Sequence, residues 1–217
     1  MPSRTLEELP WAQYLEPWSD WLERDERYET QHFQDFTFNE ESAADGSRFF
    51  ECAFSGVTFN AGSYDKTQFR EVWVNAARWI ASSAIGSDWL DTEINGSLLA
   101  GVQMFDSALR RVTLYGCKLD SVNLRGAKLQ EVTFVDCQLK HVDFSGAALT
   151  GVTFAGCQLE GVTLERAKLK KVDFSAATQL GLAGGYDALA GATISTNQLM
   201  DLAPALAQTF GISIKDV

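Results

Sequence analysis

A large apolar residue recurs at every fifth position through most of this chain. Three consecutive blocks show it best: VTLYGCKLDSVNLRGAKLQE from Val112, VTFVDCQLKHVDFSGAALTG from Val132 and VTFAGCQLEGVTLERAKLKK from Val152. The large positions are Leu114, Leu119, Leu124 and Leu129, then Phe134, Leu139, Phe144 and Leu149, then Phe154, Leu159, Leu164 and Leu169. Two residues before each stands a small one, such as Val112, Cys117, Val122 and Ala127. The register runs upstream without gain or loss of a residue to Phe49, with Val74 and Ala84 as its weakest members. A period of five fits neither the 3.6 of a helix nor the 2.0 of a strand. It fits a chain that turns a corner every five residues, with two side chains per five pointing inward and three outward. Four such sides close a coil, and the next coil stacks on it at the spacing of paired strands, about 4.8 Å. The stronger period of 20 follows, because the same side returns one coil later and like stacks on like.

The pattern divides the chain into an acidic amino-terminal cap and loop (1–47), the repeat (48–176) and a carboxyl-terminal segment (177–217). An open coil end exposes apolar cross-section and unpaired strand edges, so both ends need covers. In the amino-terminal LPWAQYLEPWSDWLE, Trp11, Tyr14 and Leu15 recur seven residues on as Trp18, Trp21 and Leu22. That spacing predicts two short helices, each opened by a proline, which either cap the core or bind a partner. Phe33 and Phe38 are five apart but out of step with Phe49, which makes Asn39 to Ser47 a loop that breaks the register. Within the repeat, Trp79 and Trp89 stand at inward positions, and their size predicts a bulge or widening between Trp73 and Trp89.

At the other end Ser195 and Gln198 form a capping box. Leu199, Leu202, Leu206 and Phe210 then share a helical side, Pro204 is expected to kink or divide that helix, and Gly211 to end it. Ile212 and Ile214 alternate like a short edge strand. Leu199, Leu202, Leu206, Phe210, Ile212 and Ile214 together make more apolar surface than one coil end requires, which predicts a two-fold homodimer through this segment.

No catalytic motif is legible. The two histidines, His32 and His141, sit in no nucleophile or metal pattern, and GxSxG, HExxH, P-loop and dinucleotide fingerprints are missing. Cys117, Cys137 and Cys157 occupy the small inward position on one side of successive coils. They belong to the same core ladder as Phe134, Leu139, Phe144, Leu149, Phe154 and Leu159. A linear apolar ladder does not converge as tetrahedral metal ligands must, so these are core fillers, and no cofactor or metal is expected. With neither a secretion signal nor a membrane-length apolar run, the chain is expected to be cytoplasmic, with reduced thiols.

The net charge of −11 argues against direct nucleic-acid binding. Residues 1–47 hold 12 acids and 3 bases, whereas 48–176 hold 14 of each. Within that balanced stretch the side centred on Phe54, Ile94, Phe134 and Phe174 carries Glu93, Asp136 and Asp173 outward and no base, a candidate acidic contact face. The side centred on Phe69, Trp89, Leu129 and Leu169 carries Arg70, Arg110, Arg111, Lys128, Lys168, Lys170 and Lys171.

The small-x-(Leu/Phe)-x-x period from Phe49 to Ala176 resembles the pentapeptide-repeat family, and the resemblance implies an all-β solenoid, a right-handed quadrilateral parallel β-helix. The carboxyl-terminal helix, with a Gln near its start and a Gly-Ile ending, looks like that of the Qnr and MfpA group of quinolone-resistance proteins. That resemblance implies a homodimer that mimics DNA, binds DNA gyrase or topoisomerase IV and protects it from topoisomerase poisons. The competing reading is an adaptor solenoid whose partner is another protein, favoured by the balanced charge of the repeat.

Overall fold

The structure is a computed structural model that describes residues 3–213 and residue 215. Inward positions decide its form. From Phe49 to Leu164 the large residue of each pentad lies in a single continuous core, and the residue two places before it is buried too, apolar at most positions and a hydroxyl at others such as Thr67, Ser82, Ser87 and Ser107. The chain winds as a parallel solenoid with three strand-bearing sides: side one is a sheet of ten strands, and sides two and four have eight each. The remaining side, side three, is joined by single bridges, Ala43 to Ser63, Ser83, Gln103, Asn123, Asp143 and Thr163. Pairing keeps the 20-residue step, as in Leu114↔Phe134↔Phe154 on side one and Leu119↔Leu139↔Leu159 on side two. Every position ending in 1 or 6 from Gly46 to Lys171 has positive φ, so each pentad turns its corner through one left-handed residue. That conformation strains residues other than glycine, yet Glu51, Glu71, Asp91, Arg111, Glu131 and Asp136 all occupy such corners.

The coil begins at Arg27, upstream of the repeat register that starts near residue 48. Tyr28 pairs with Phe49, Phe33 with Phe54 and Phe38 with Phe59, each 21 residues apart. Ala43 pairs with Ser63 at the ordinary step of 20, so the extra residue lies between Phe38 and Ala43, inside the loop read from the sequence.

The expected bulge between Trp73 and Trp89 is absent. Trp79 pairs in register with Phe59 and Leu99, and Trp89 with Phe69 and Leu109. Each indole stacks flat on the phenylalanine one coil earlier, at 3.9 Å between centroids. Between them on the same coil stands Ala84, fully buried, whose small volume makes room for both rings. The Trp89 indole N–H donates to the buried Ser87 hydroxyl at 2.8 Å. Among the described residues, register shifts occur only at the last coil, where the strand Gln179–Gly184 joins Gln158–Thr163 with two of them.

The amino-terminal helices are also corrected. Leu6–Glu8 and Ala12–Tyr14 are single 3-10 turns, and Glu16–Pro17 then pairs as a strand beside Gln31–Gln34. The seven-residue repetition therefore does not share one face. Trp18 packs on Tyr28 and Phe33 at the coil end, Leu22 is buried there, and Trp21 is 80% exposed.

The carboxyl-terminal helix Thr196–Thr209 is undivided by Pro204. Its first turn plugs the last coil: the buried Gln198 donates to the carbonyls of Phe174 and Ala177 at 2.8 and 3.0 Å and accepts from Ser195 N–H at 2.9 Å. Gly211, at φ +69°, ends it, with Gly211 and Ile212 N–H bonded to the carbonyls of Gln208 and Ala207. Ile212 thus belongs to the helix cap and not to an edge strand, and Ile214 lies outside the described residues.

Candidate protein-interaction surface

The three acids read as one exposed face have different fates. Glu93 does not stand exposed: it is buried, its carboxylate taken by Arg4 through the backbone N–H at 2.8 Å and the guanidinium Nε at 2.9 Å. Burying a carboxylate is costly without a paired cation, and the amino-terminal segment supplies that cation from 89 residues away. Asp173 is half-buried and accepts from the Ser175 N–H and hydroxyl at 2.8 and 2.6 Å. Asp136 stands exposed at a left-handed corner.

Instead, a column of acids that the sequence reading passed over follows the corner between sides four and one: Glu51, Glu71 and Asp91, on successive coils. They are 20 residues apart, so the period would have shown them had the corners been tallied as well as the sides. Burial, with Glu71 and Glu29 nearby, raises the pKa of Glu51. Asp91 is held below the usual carboxylate range by Arg111, which binds it through two nitrogens at 2.6 and 2.7 Å. On side four Arg70 and Arg110 converge on Asp88 at 3.5 and 3.1 Å, which offsets part of that side's positive charge. Lys128, Lys168, Lys170 and Lys171 remain exposed, with no carboxylate in ion-pair range among the described residues.

The thiols lie where the register puts them. Cys52, Cys117, Cys137 and Cys157 are buried and unbonded to one another. Backbone N–H groups of Cys117 and Cys137 point at the sulfurs of Cys137 and Cys157, at 3.4 and 3.3 Å. Burial pushes Cys52 up to about 12, and contact along the ladder followed by burial pushes Cys137 to about 12. Cys117 shifts the other way, lowered by its contact with Cys137. Held protonated at neutral pH, the Cys52 and Cys137 thiols are poor nucleophiles and ligands. Among the described residues no group of three His, Cys, Asp or Glu side chains converges as a metal site, and no helix is long and apolar enough to cross a membrane.

At the carboxyl end the apolar set divides. Leu202 and Leu206 pack on the chain's own core, whereas Leu199, Phe210 and Ile212 are 47, 70 and 60% exposed, beside Met200 at 70%.

No curated protein sequence matches the chain. Among solved structures, HetL of the cyanobacterium Nostoc sp. strain PCC 7120, a pentapeptide repeat protein involved in heterocyst differentiation regulation, is 16% identical over 73% of this chain and 85% of its own, with a TM-score of 0.38. Trypsin-treated QnrB1, a plasmid-mediated fluoroquinolone resistance protein, is 19% identical over 91% of this chain and all of its own, with a TM-score of 0.35. A pentapeptide repeat protein of the Arabidopsis thaliana thylakoid lumen is 21% identical over 52% of this chain and 71% of its own, with a TM-score of 0.33. Residues 87–164 match the family model described as a pentapeptide repeat region, and the same five-residue coil runs on to either side of that segment.

Proposed function

We propose that this chain is a non-enzymatic interaction solenoid whose acidic amino-terminal half docks a cationic protein surface. The observation that carries the reading is the segregation of charge: 12 acids against 3 bases in residues 1–47, continued along the shaft by Glu51, Glu71 and Asp91. A shaft held by parallel pairing at every coil presents those charges at fixed spacing, and charge complementarity governs both partner choice and encounter rate. The specific partner proposed is the DNA-binding surface of DNA gyrase or topoisomerase IV, which the acidic half would occupy as a DNA mimic. The chain would then protect the enzyme from quinolone-type poisons. The test is gyrase-catalysed supercoiling with and without a quinolone: protection at stoichiometric concentrations supports this partner, and no effect on either reaction removes it. The adaptor reading, in which another protein is bound, draws on the balance of 14 acids and 14 bases in 48–176 and is the one left standing by that second result.

The homodimer belongs to the same proposal. Leu199 on the plug helix and Phe210 and Ile212 at its carboxyl-terminal end are exposed apolar side chains, and a two-fold axis would let them cover one another.

A further inference from the structure

We infer that the outer face of side one around Ala53, Trp73 and Glu93 is a peptide-binding groove, filled in this chain by its own residues 4–11. Its ligand is a partner segment that brings an Arg or Lys to Glu93 and apolar side chains to Trp73, without acids of its own.

The outward column of side one changes character along the shaft. It reads Ala53, Trp73, Glu93 at the amino end and Thr113, Thr133, Thr153 beyond. An outward tryptophan and a buried carboxylate make sense only under a cover. That cover is the amino-terminal strap: Leu9 and Trp11 pack on Ala53 and Trp73 in an apolar cluster separate from the core, and Arg4 pairs with Glu93. The Trp73 indole N–H donates to the Arg4 carbonyl at 3.1 Å. Among the described residues before Glu16 the strap makes no backbone-to-backbone hydrogen bond to the shaft; the Arg4 backbone and side chain bond instead to the Glu93 and Trp73 side chains.

The strap fits the groove incompletely. A cavity of about 270 Å³ remains beside it, lined by Glu71, Asp91 and Arg111 as well as Arg4 and Trp11. Asn95 is buried under the strap's edge with its side-chain oxygen unpaired. The shaft wall here presents Glu71, Asp91 and Glu93 against Arg111, and the strap answers with a single cation, Arg4, while its own Glu7 and Glu8 stay exposed to solvent. An occupant that leaves an acid of that wall uncompensated is displaceable by one that carries a second cation. Any replacement must still supply a cation to Glu93, because a buried carboxylate left unpaired is strongly unfavourable.

This inference deepens the reading of the acidic half, and the two fail separately, since peptide docking and gyrase protection are different measurements. The experiment uses the full chain with Arg4→Ala and Trp11→Ala, and two fluorescein-labelled peptides: residues 3–15 as they stand, and the same segment with Glu7→Lys. Saturable binding of both is expected, tighter by about 10-fold for the lysine peptide and weakened by about 10-fold when Glu93→Gln is added to the protein. No saturable binding by a loosened protein that retains its strand circular dichroism overturns the proposal. Should the loosened chain not fold, hydrogen exchange on the wild type decides. Excess lysine peptide is expected to speed exchange in residues 4–15, and an unchanged strap overturns the proposal. A wild-type dimer dissolved by Arg4→Ala with Trp11→Ala would assign the groove to the strap of a second copy, and so would overturn the assignment to a partner.

Discussion

Single residues carry this structure unequally, and burial tells which. Phe144 and Leu139 point into the core at 1% exposure, whereas Thr153 lies on the outer surface of side one. Phe144→Arg or Leu139→Arg is therefore expected to unfold or aggregate the chain, since an unpaired buried charge is very costly. Thr153→Arg should leave the melting temperature within a few degrees of wild type, as surface changes are worth about 0.5 kcal/mol. Equal melting of both classes would contradict the register. Tyr64 offers the opposite case. Its ring is fully buried among Phe59 and Trp79, its hydroxyl has no partner, and burial pushes the phenol's pKa upward. A buried polar group without a hydrogen bond costs about 1–3 kcal/mol. Tyr64→Phe should thus raise stability, measured as a higher denaturant midpoint with unchanged slope, and a fall would place an unseen partner at that oxygen.

At the scale of elements, the coil was legible because inward positions must be apolar, and that demand repeats every five residues regardless of what the corners carry. The Trp79 and Trp89 coil was misread because bulk was counted position by position. Packing is satisfied coil by coil, and Ala84 offsets the two indoles. Glu93 was misread for a related reason: its exposure is settled by Arg4, and no local period reaches across 89 residues. The amino-terminal turns carry apolar residues at helical spacing, but Glu16 and Pro17 leave the helix to pair with Gln31 and His32, so the second half of the stripe faces elsewhere. The carboxyl-terminal helix was legible at both ends because Ser195, Gln198 and Gly211 each do a chemically specific job. Gln198 also seals the coil, and its removal tests that role. Gln198→Ala strips hydrogen bonds from the carbonyls of Phe174 and Ala177, and a loss of about 2 kcal/mol is expected in chemical denaturation. An unchanged midpoint would mean the helix does not cap the core.

The whole molecule is a rod with acids gathered at one end and exposed apolar side chains at the other. If these join two copies, Phe210→Glu with Ile212→Glu should give a folded monomer by sedimentation, because neither side chain belongs to the chain's own core. A dimer that survives would move the interface to another surface. The central claim concerns the acidic end, and affinity for DNA gyrase measured at low and at physiological salt tests it most directly. Exposed charges are screened over about 8 Å at physiological ionic strength, so wild-type binding should weaken as salt rises. Glu51→Lys with Glu71→Lys should lower affinity by about 10-fold or more while the melting temperature holds, and Asp136→Lys should leave affinity near wild type. Salt-independent binding, or undiminished affinity of the double variant, would contradict the account.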